Sequence, residues 1–417
     1  MATLSFGPFV MDLETRRVRR GGTDLQLRPR AFHALRVLLL NSGHHVDYNR
    51  MLAEGWDGTV VSPHTVGVTI GEVRKALGEY QGWITYRSKV GYRLEVPHTE
   101  DLIRHGWHFW NQHTRTGFEE ALNCFRQAAA GTSGDFRAYE GAASCHLMLA
   151  ALGMRPPIEM RPGFLDAHSR AMELSGGMTP ELRCDAAHGL HIFDGRYADA
   201  ESAFLETRRQ KPGLASIYSR LAMLHYACGR LDAAMAAIQD GATLDPLAPA
   251  LAALETYVWL ARRQFDAAVA CGRRAVALHP HLQMAHSLYG QALEYSHRYD
   301  EALAQYRIAA TISPDLSCLA ALEGVCLARS GRRREALAIL QRLDAQRRAS
   351  YVDAYYMAVL LSALGVTDQA LKELERAGDE CSSALHTVNV DPHLDALRGH
   401  PRFEKLRARI LDRALAH

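Results

Sequence analysis

The segment GRLDAAMAAIQDGATLDP, residues 229–246, decides the fold, because it returns in altered form as HRYDEALAQYRIAATISP at residues 297–314. The alanine in its sixth position recurs every 34 residues, and its closing proline keeps the same step. The alanines are Ala200, Ala234, Ala268, Ala302, Ala336 and Ala370, and the prolines are Pro212, Pro246, Pro280 and Pro314. A fixed period of this length is typical of stacked helical repeats. Most of the chain is therefore predicted to form a solenoid that offers surface for contacts.

The turn that precedes each alanine is copied at residues 195–200, 229–234, 297–302 and 331–336. These units resemble the tetratricopeptide repeat, in which two helices touch at a small residue and a proline ends the second helix. Gly290 and Gly324 occupy the close-packing position of the first helix in that pattern. The resemblance implies a helical superhelix with a concave surface.

The first hundred residues do not share the repeat. Residues 4–27 alternate between apolar and polar side chains with glycine and proline turns, which predicts a small antiparallel sheet. Residues 31–40 carry an apolar stripe at helical spacing, and a short helix is predicted at 48–54. The stripe consists of Phe32, Leu35, Leu38 and Leu39.

A third helix is predicted from Ser62 to Gly78. Ser62 is a good N-cap, Pro63 suits the first helical position, and Gly78 is placed to end the helix. Its buried face is predicted to pack on the first helix and consists of Val66, Ile70, Val73 and Leu77. Two short strands at 83–87 and 91–94 follow, joined by the basic tip 88–90. Three helices followed by a basic hairpin predict a winged helix.

Residues 66–78 read V-x-V-x-I-x-x-V-R-K-x-L-G, and residues 84–94 read I-T-Y-R-S-K-V-G-Y-R-L. Together with the N-terminal sheet and the R-P-R-A-F start of the first helix, they resemble the DNA-binding domain of two-component response regulators of the outer-membrane-porin-regulator type. The resemblance covers residues 4–97. It implies that the third helix enters the major groove and that the wing lies on the minor groove.

We expect DNA contacts from both of these elements. On the helix the candidates are His64, Thr65, Thr69, Arg74 and Lys75, and on the wing they are Arg87 and Lys89. The exposed helix face departs from the family at Gly67, Gly71 and Glu72. Glu72 would repel a phosphate, although it could accept a hydrogen bond from cytosine. The alternative is that the basic residues only solvate the surface.

Two aromatic sites carry further hypotheses. In the resembling family, the loop at residues 55–61 can touch RNA polymerase, so Trp56 is a candidate contact; the alternative is a buried tryptophan. In the aromatic run 107–110, Trp107 and Trp110 are predicted to seat the DNA-binding domain on the first repeat. The alternative there is a pocket for a ligand or a peptide.

The predicted fold class is mainly α, with an α+β winged helix at 1–98 and a tetratricopeptide-repeat superhelix at 99–417. The repeat region divides into an irregular part at 99–180, regular repeats at 181–380 and a C-terminal cap at 381–417. Residues 117–128 are predicted to be the second helix of a first repeat. Residues 154–163 are irregular, and we expect another repeat there with an extended loop.

Composition excludes several classes of function. The net charge is only +2, and residues 1–99 carry 13 basic against 9 acidic residues, which permits a nucleic-acid partner. None of the eight cysteines forms a C-x-x-C pair, and the histidines lack acidic partners at ligand spacing, so we expect no metal and no cofactor. The chain shows no secretory signal segment, no apolar run of the ~20 residues that a membrane span needs, and no catalytic motif. We expect a cytoplasmic protein that is not an enzyme.

These patterns predict a transcription regulator, most simply an activator. Its partners would be double-stranded promoter DNA, RNA polymerase, a protein or small-molecule effector on the repeats, and a second copy of the chain. No receiver domain precedes the winged helix in this sequence, so we expect no control by aspartyl phosphorylation. The alternative is an interaction adaptor whose winged helix no longer binds DNA.

Overall fold

The computed structural model describes residues 3–20, 23–56, 58–96, 99–130 and 134–415. The chain divides into two compact units. The first comprises Met1–Phe109 and Glu120–Gly141, and the second comprises Trp110–Glu119 and Ala142–His417. The first unit thus extends past the boundary predicted at residues 98 and 99. Pro97 and His98, which precede this boundary, lie outside the described residues.

The first unit opens with a four-stranded antiparallel sheet in the order β1-β2-β3-β4, as the alternating pattern predicts. Its strands are β1 Thr3–Phe6, β2 Phe9–Asp12, β3 Arg17–Arg20 and β4 Thr23–Asp24. Phe9 and Met11 face the core, where the ring of Phe9 meets the edge of Trp83 at 6.3 Å between centroids.

Three helices and a second sheet complete the winged helix. They are α1 Pro29–Leu40, β5 His45–Val46, α2 Tyr48–Gly55, α3 Pro63–Leu77, β6 Ile84–Arg87 and β7 Gly91–Leu94, and the sheet order is β5-β7-β6. The predicted ends of α3 are confirmed: the Ser62 hydroxyl accepts a hydrogen bond from the Thr65 amide, and Gly78 takes a left-handed φ of 61°. The predicted apolar face of α3 is buried, which fixes the direction of its opposite face.

The first unit also includes helices beyond the winged helix. They are α4 Thr99–Trp110, most of α5 Arg115–Ala129, and the start of α6 Phe136–Ala151. Phe125 of α5 packs against Gly106 and Gly141, where a Cβ atom would come within 2.6 Å and 2.4 Å of its ring. The indole of Trp83 donates a hydrogen bond to the Gln127 side chain at 3.2 Å. The wing strands and α5 therefore belong to one packed body.

The second unit continues with regular helix pairs. Its helices are α7 Pro157–Leu174, α8 Pro180–Gly189, α9 Tyr197–Gln210, α10 Ala215–Ala227, α11 Leu231–Leu244, α12 Pro249–Ala261, α13 Phe265–Leu278, α14 Gln283–Tyr295, α15 Tyr299–Ile312, α16 Ser317–Arg329, α17 Arg333–Gln346, α18 Ala354–Ala363, α19 Thr367–Asp379 and α20 Pro401–Leu415. From α9 to α19, the second helix of each pair starts 34 residues after the second helix of the preceding pair.

The periodic residues have the packing roles that the pattern predicts. All six alanines of the 34-residue register are fully buried. The residue two positions before each of these helices has a left-handed φ between 58° and 83°, even at Arg263 and His297, where the residue is not glycine. Gly290 lies against Tyr306, where a Cβ atom would come within 2.8 Å of the ring. These contacts confirm that small residues set the distance between helices.

From α9 to α19, only α18, the first helix of the pair after α17, departs from the register. Arg348 stands where the next periodic proline would fall, and α18 begins three residues later than the period requires. The predicted irregular part is also shorter than expected. Residues 161–163 do not form an extended loop but lie inside α7, where Gly163 makes room for the His146 ring.

Residues 382–398 form a C-terminal strap that returns along the repeats. The strap contains two short 3₁₀ helices, Ser383–Thr387 and Pro392–Leu397. Its backbone accepts a hydrogen bond at Val390 from Arg263, and its Asn389 side chain donates to the Ala227 carbonyl. Val388, Leu394 and Leu397 of the strap are buried, so the strap is part of the core of the second unit.

A buried ionic cluster holds the strap to the repeats. Glu294 is fully buried, with Arg329 Nε at 3.1 Å and His393 Nε2 of the strap at 3.4 Å from its carboxylate. The Tyr306 hydroxyl donates to the other carboxylate oxygen at 2.9 Å. His393 also meets Asp391, with Nδ1 at 3.1 Å from the carboxylate. Burial alone would lower the pKa of His393, but the carboxylates of Asp391 and Glu294 outweigh it and raise the pKa to about 10.

The second unit also packs its first residues against later repeats. Phe118 and Leu149 share one apolar cluster with Ala309, Leu316 and Leu319 of α15, α16 and the turn between them. This contact joins helices that are far apart along the array and closes a space between them. None of the helices in the described part of the chain combines the length and the apolar composition that a membrane span requires.

Candidate nucleic-acid interface

One face of α3 is open to solvent. His64, Thr65, Val68, Gly71 and Lys75 are exposed and follow one another at helical spacing. Val68 is 58% exposed, although valine is an apolar residue. The opposite face is buried against the first helix and the wing, so this row is the part of α3 that can enter a groove.

Glu72 does not belong to this open face. Its carboxylate accepts a hydrogen bond from the Arg28 backbone amide at 3.1 Å, and the Arg28 guanidinium lies 3.9 Å away. Arg28 is the N-cap residue of α1, and its own side chain makes no capping hydrogen bond. A carboxylate at a helix N-terminus is stabilised by the helix dipole. Glu72 therefore holds α3 to the start of α1, and the expected repulsion toward a phosphate is reduced.

Thr69 was expected on the exposed face with Thr65, but the structure buries it to 9% exposure. Its hydroxyl donates to the Thr65 carbonyl at 2.9 Å, one turn earlier in the helix. Such a bond satisfies the hydroxyl locally and turns the side chain toward its own helix. Thr65, by contrast, is exposed as predicted.

Arg74 lies between the helix and the wing. Its Nε and Nη2 atoms both donate to the Ile84 carbonyl, at 3.2 Å and 2.7 Å. This two-pronged contact connects the last turn of α3 to the first residue of β6. Arg74 therefore fixes the direction of the wing relative to α3, a role that its spacing in the sequence did not indicate.

The wing presents Arg87 and Lys89 to solvent as predicted. Lys89 stands at the tip with a left-handed φ of 63°. Gly91 then has a φ of 120°, and a Cβ atom there would come within 2.1 Å of the Val46 carbonyl oxygen. Tyr86, 59% exposed, leans on Tyr92 with 4.9 Å between ring centroids. The exposed ring of Tyr86 was not among the predicted contacts.

Most other arginines of the winged helix are neutralised within it. Arg17 and Arg19 pair with Asp24, Arg20 with Glu79, Arg50 with Glu54, and Arg93 with Glu95. Among the described residues, Lys75, Arg87 and Lys89 have no ion-pair partner within 4.0 Å. Three of the unpaired cations thus stand on the open face of α3 and on the wing, where the family resemblance places DNA; Arg16, in the turn between β2 and β3, is exposed without an ion pair in the described part of the chain as well.

Trp56 is only 3% exposed and packs in the core of the winged helix. The structure thus fits the alternative of a buried tryptophan. The exposed side chains of the loop between α2 and α3 are instead Thr59 and Val60, and Val60 is 83% exposed. Asp57 in this loop lies outside the described residues.

Trp107 and Trp110 belong to different units. The Trp107 ring meets Phe125 of the first unit, with centroids 5.1 Å apart. The Trp110 ring meets His113 and Phe118 of the second unit, at 5.0 Å and 5.8 Å. Each tryptophan therefore packs inside its own unit.

Two family models match the sequence. Residues 22–94 match the model described as transcriptional regulatory protein, C terminal. Residues 190–249 and 260–317 match the tetratricopeptide repeat. The chain is a winged-helix effector domain of the response-regulator type followed by tetratricopeptide repeats. The first part is a DNA-binding domain type of transcription regulators, and the second is a protein-interaction type.

Solved structures resemble the helical array of this fusion protein. A structure described as an IFIT1 monomeric mutant with Gppp-AAAA has a TM-score of 0.53 at 13% identity and covers 90% of each chain. A second IFIT1 monomeric mutant, with m7Gppp-AAAA, has a TM-score of 0.54 at 13% identity over 82% of this chain and 77% of its own. Yeast Tom70 has a TM-score of 0.46 at 12% identity over 90% and 82%. No curated protein matches the sequence.

Proposed function

We propose that the fusion protein is a transcription regulator that binds promoter DNA through α3 and the wing and receives its input through the repeats. The observation that carries this proposal is the distribution of charge. The basic side chains around the winged helix are mostly paired, whereas Lys75, Arg87 and Lys89 are exposed and unpaired. Unpaired cations on one face supply the phosphate contacts that dominate the affinity of a protein for DNA.

Base reading falls to the first half of α3. His64 and Thr65 offer hydrogen-bonding groups, and exposed Val68 offers methyl groups that fit the methyl of thymine. Gly71 lies on the same row and has open space where a Cβ atom would be, so the helix backbone can approach the groove closely. Arg74 and Glu72 act from behind this face, because Arg74 holds α3 to the wing and Glu72 holds it to α1.

The position of Glu72 supports DNA binding over the adaptor alternative. That alternative rested on Gly67, Gly71 and an exposed acidic residue at the reading face. Because Glu72 is bonded to the start of α1, the face carries less negative charge than its sequence indicates.

Activation of transcription would use the loop between α2 and α3. Thr59 and Val60 are its exposed side chains, so they are the groups of this loop that RNA polymerase would contact. Trp56 would support this loop from the core without touching RNA polymerase. We further propose that the repeats bind the effector or a second copy of the chain.

The test is a salt titration of the full chain on duplex DNA. Replacing both Arg87 and Lys89 by alanine should weaken binding by roughly tenfold or more at low salt and reduce the slope of log K against log salt by about 1.8, since each phosphate contact contributes about 0.9. The matched control is Arg50→Ala, which removes an exposed arginine that is already paired with Glu54.

Sequencing of DNA crosslinked in cells extends this test to promoters. Sharp promoter peaks that disappear in the double variant would support a sequence-reading regulator. Equal salt slopes for the double variant and the wild type, with no enriched promoter, would contradict the proposal and favour the adaptor.

A further inference from the structure

The second unit contains a cavity of about 710 Å³ that opens to solvent. Its wall is built from segments that are distant in the sequence: the turn after α4, the end of α6, the start of α12, the turn between α13 and α14, and the end of α15. The cavity exists because the first helices pack against later repeats, as Phe118 and Leu149 do with Leu316 and Leu319. Its volume lies in the range of small-molecule sites, about 300–1,000 Å³.

Two polar groups in this wall have no hydrogen-bond partner among the described residues. Ser313, at the end of α15, is 3% exposed, and its hydroxyl is unpartnered. His279, in the turn after α13, has a buried and unpartnered Nε2 atom. Both residues line the cavity. A buried polar group without a partner is destabilising, so a ligand that bonds to these two atoms would recover that loss.

The rest of the wall determines which ligands fit. It contains Met148, Leu152 and Ile312 together with amide side chains such as Gln112, and it contains no lysine, arginine, aspartate or glutamate. A phosphate or carboxylate there would meet the imidazoles of His113, His279 and His281 but no lysine or arginine, which makes its burial costly. Nucleotides and acidic peptides therefore do not suit the cavity.

A smaller chamber of about 150 Å³ adjoins the cavity and shares Leu152, Gln283 and Met284 with it. Its wall includes Ser383 and Thr387 of the C-terminal strap. A ligand that reaches from the cavity into this chamber would contact the α12–α16 repeats and the strap together. That arrangement would let one small molecule stabilise the packing between them.

We propose that this cavity binds an uncharged, mainly apolar small molecule that hydrogen-bonds to Ser313 and His279. The inference rests on the proposed function, since it names the effector class that the repeats would receive. The ligand site lies in the second unit, whereas the proposed DNA contacts are Lys75, Arg87 and Lys89 of the first unit.

The experiment titrates the full chain with N-phenyl-1-naphthylamine, an uncharged fluorescent probe. We expect saturable binding at one site. Ala250→Trp should weaken it at least tenfold, because Ala250 lines the cavity near the start of α12 and the indole would fill the space. Ala236→Trp is the control, since Ala236 is exposed on α11 and is not part of the cavity wall.

A second blocking variant, Met284→Trp, acts at the junction with the smaller chamber and keeps the test valid if Ala250→Trp does not fold. The anionic analogue 1-anilinonaphthalene-8-sulfonate should bind at least tenfold more weakly than the uncharged probe. Probe binding that survives both blocking variants, or tighter binding of the sulfonate, as expected of a site for an acidic peptide, would overturn the proposal. If the unsubstituted chain fails to bind the uncharged probe but shows the expected salt slope on DNA, the ligand proposal is wrong and the proposed regulator stands.

Discussion

The open face of the winged helix and the cavity of the repeat unit handle charge in opposite ways. On the winged helix, Lys75, Arg87 and Lys89 stand unpaired in solvent. In the repeat unit, Glu294 and His393 are buried and paired, and the cavity wall contains no lysine, arginine, aspartate or glutamate. The first surface suits a polyanion, and the second suits an uncharged ligand.

One chain thus carries two different kinds of binding site, because its cations are left unpaired on the winged helix whereas the cavity wall lacks lysine, arginine and acidic residues. Binding to the open face must depend on salt, because it exchanges counterions on DNA. Binding in the cavity should be almost independent of salt, since no ion pair forms there. Four predictions test the two units separately.

The largest effect is expected from Glu294→Ala. It leaves Arg329 and His393 near one another without the carboxylate between them, in a fully buried site. Removing one partner of a buried ion pair costs about 3–5 kcal/mol. Urea denaturation should show a loss of this order, whereas Glu301→Ala, which removes an exposed carboxylate paired with Arg298, should leave the midpoint nearly unchanged. Equal midpoints for the two variants would show that the buried cluster does not hold the strap.

The pH dependence of stability should follow His393. The pKa of this residue is raised from 6.5 to about 10 in the folded chain, so its stabilising effect is complete below pH 6.5 and disappears as the pH rises toward 10. The loss should be on the order of a few kcal/mol, since each unit of pKa corresponds to about 1.4 kcal/mol. Denaturation at pH 6.5, 8 and 9.5 measures it. In His393→Gln the decline over this window should be smaller; an identical decline would exclude His393 as its source.

Gly91→Ala tests the wing. A Cβ atom at this position would overlap the Val46 carbonyl, and the φ of 120° is strained for any residue with a side chain. We expect the winged helix to lose about 1–3 kcal/mol and DNA affinity to fall with it. Gly82→Ala is the control, because its Cβ atom would meet open space and its φ is not positive. Amide hydrogen exchange in β6 and β7 should rise in the first variant alone.

The smallest effect is expected from Gly71→Ala, which separates folding from recognition. An alanine in the interior of α3 should stabilise the domain by roughly 0.5–1 kcal/mol, because glycine costs that much in a helix, and no neighbouring atom obstructs it. DNA affinity should nevertheless fall, since the added methyl group keeps the helix away from the groove. A rise in both thermal stability and DNA affinity would show that Gly71 has no part in the approach.

Local patterns predicted the elements of the winged helix well. Ser62, Pro63 and Gly78 set the ends of α3 because capping depends on residues within a few positions of each other. The alternating apolar residues predicted the first sheet for the same reason. The roles of Thr69 and Glu72 were not predictable in this way. The partner of Glu72 is the amide of Arg28, 44 residues earlier in the chain, and only the packing of α3 against α1 brings them together.

The sequence by itself determined the period of the array, the helix pairs and the buried alanines, because each repeat places the same residues at the same contacts with its neighbours. The departures of the array from its period are visible only in the tertiary structure. Nothing local indicates that the strap is buried against Glu294, or that Phe118 meets Leu319. The cavity between these segments follows from the same distant contacts, since its wall belongs to five separate parts of the chain. The repeated sequence pattern predicts the contacts within a repeat. Contacts between distant repeats depend on the packing angles between all the intervening helices.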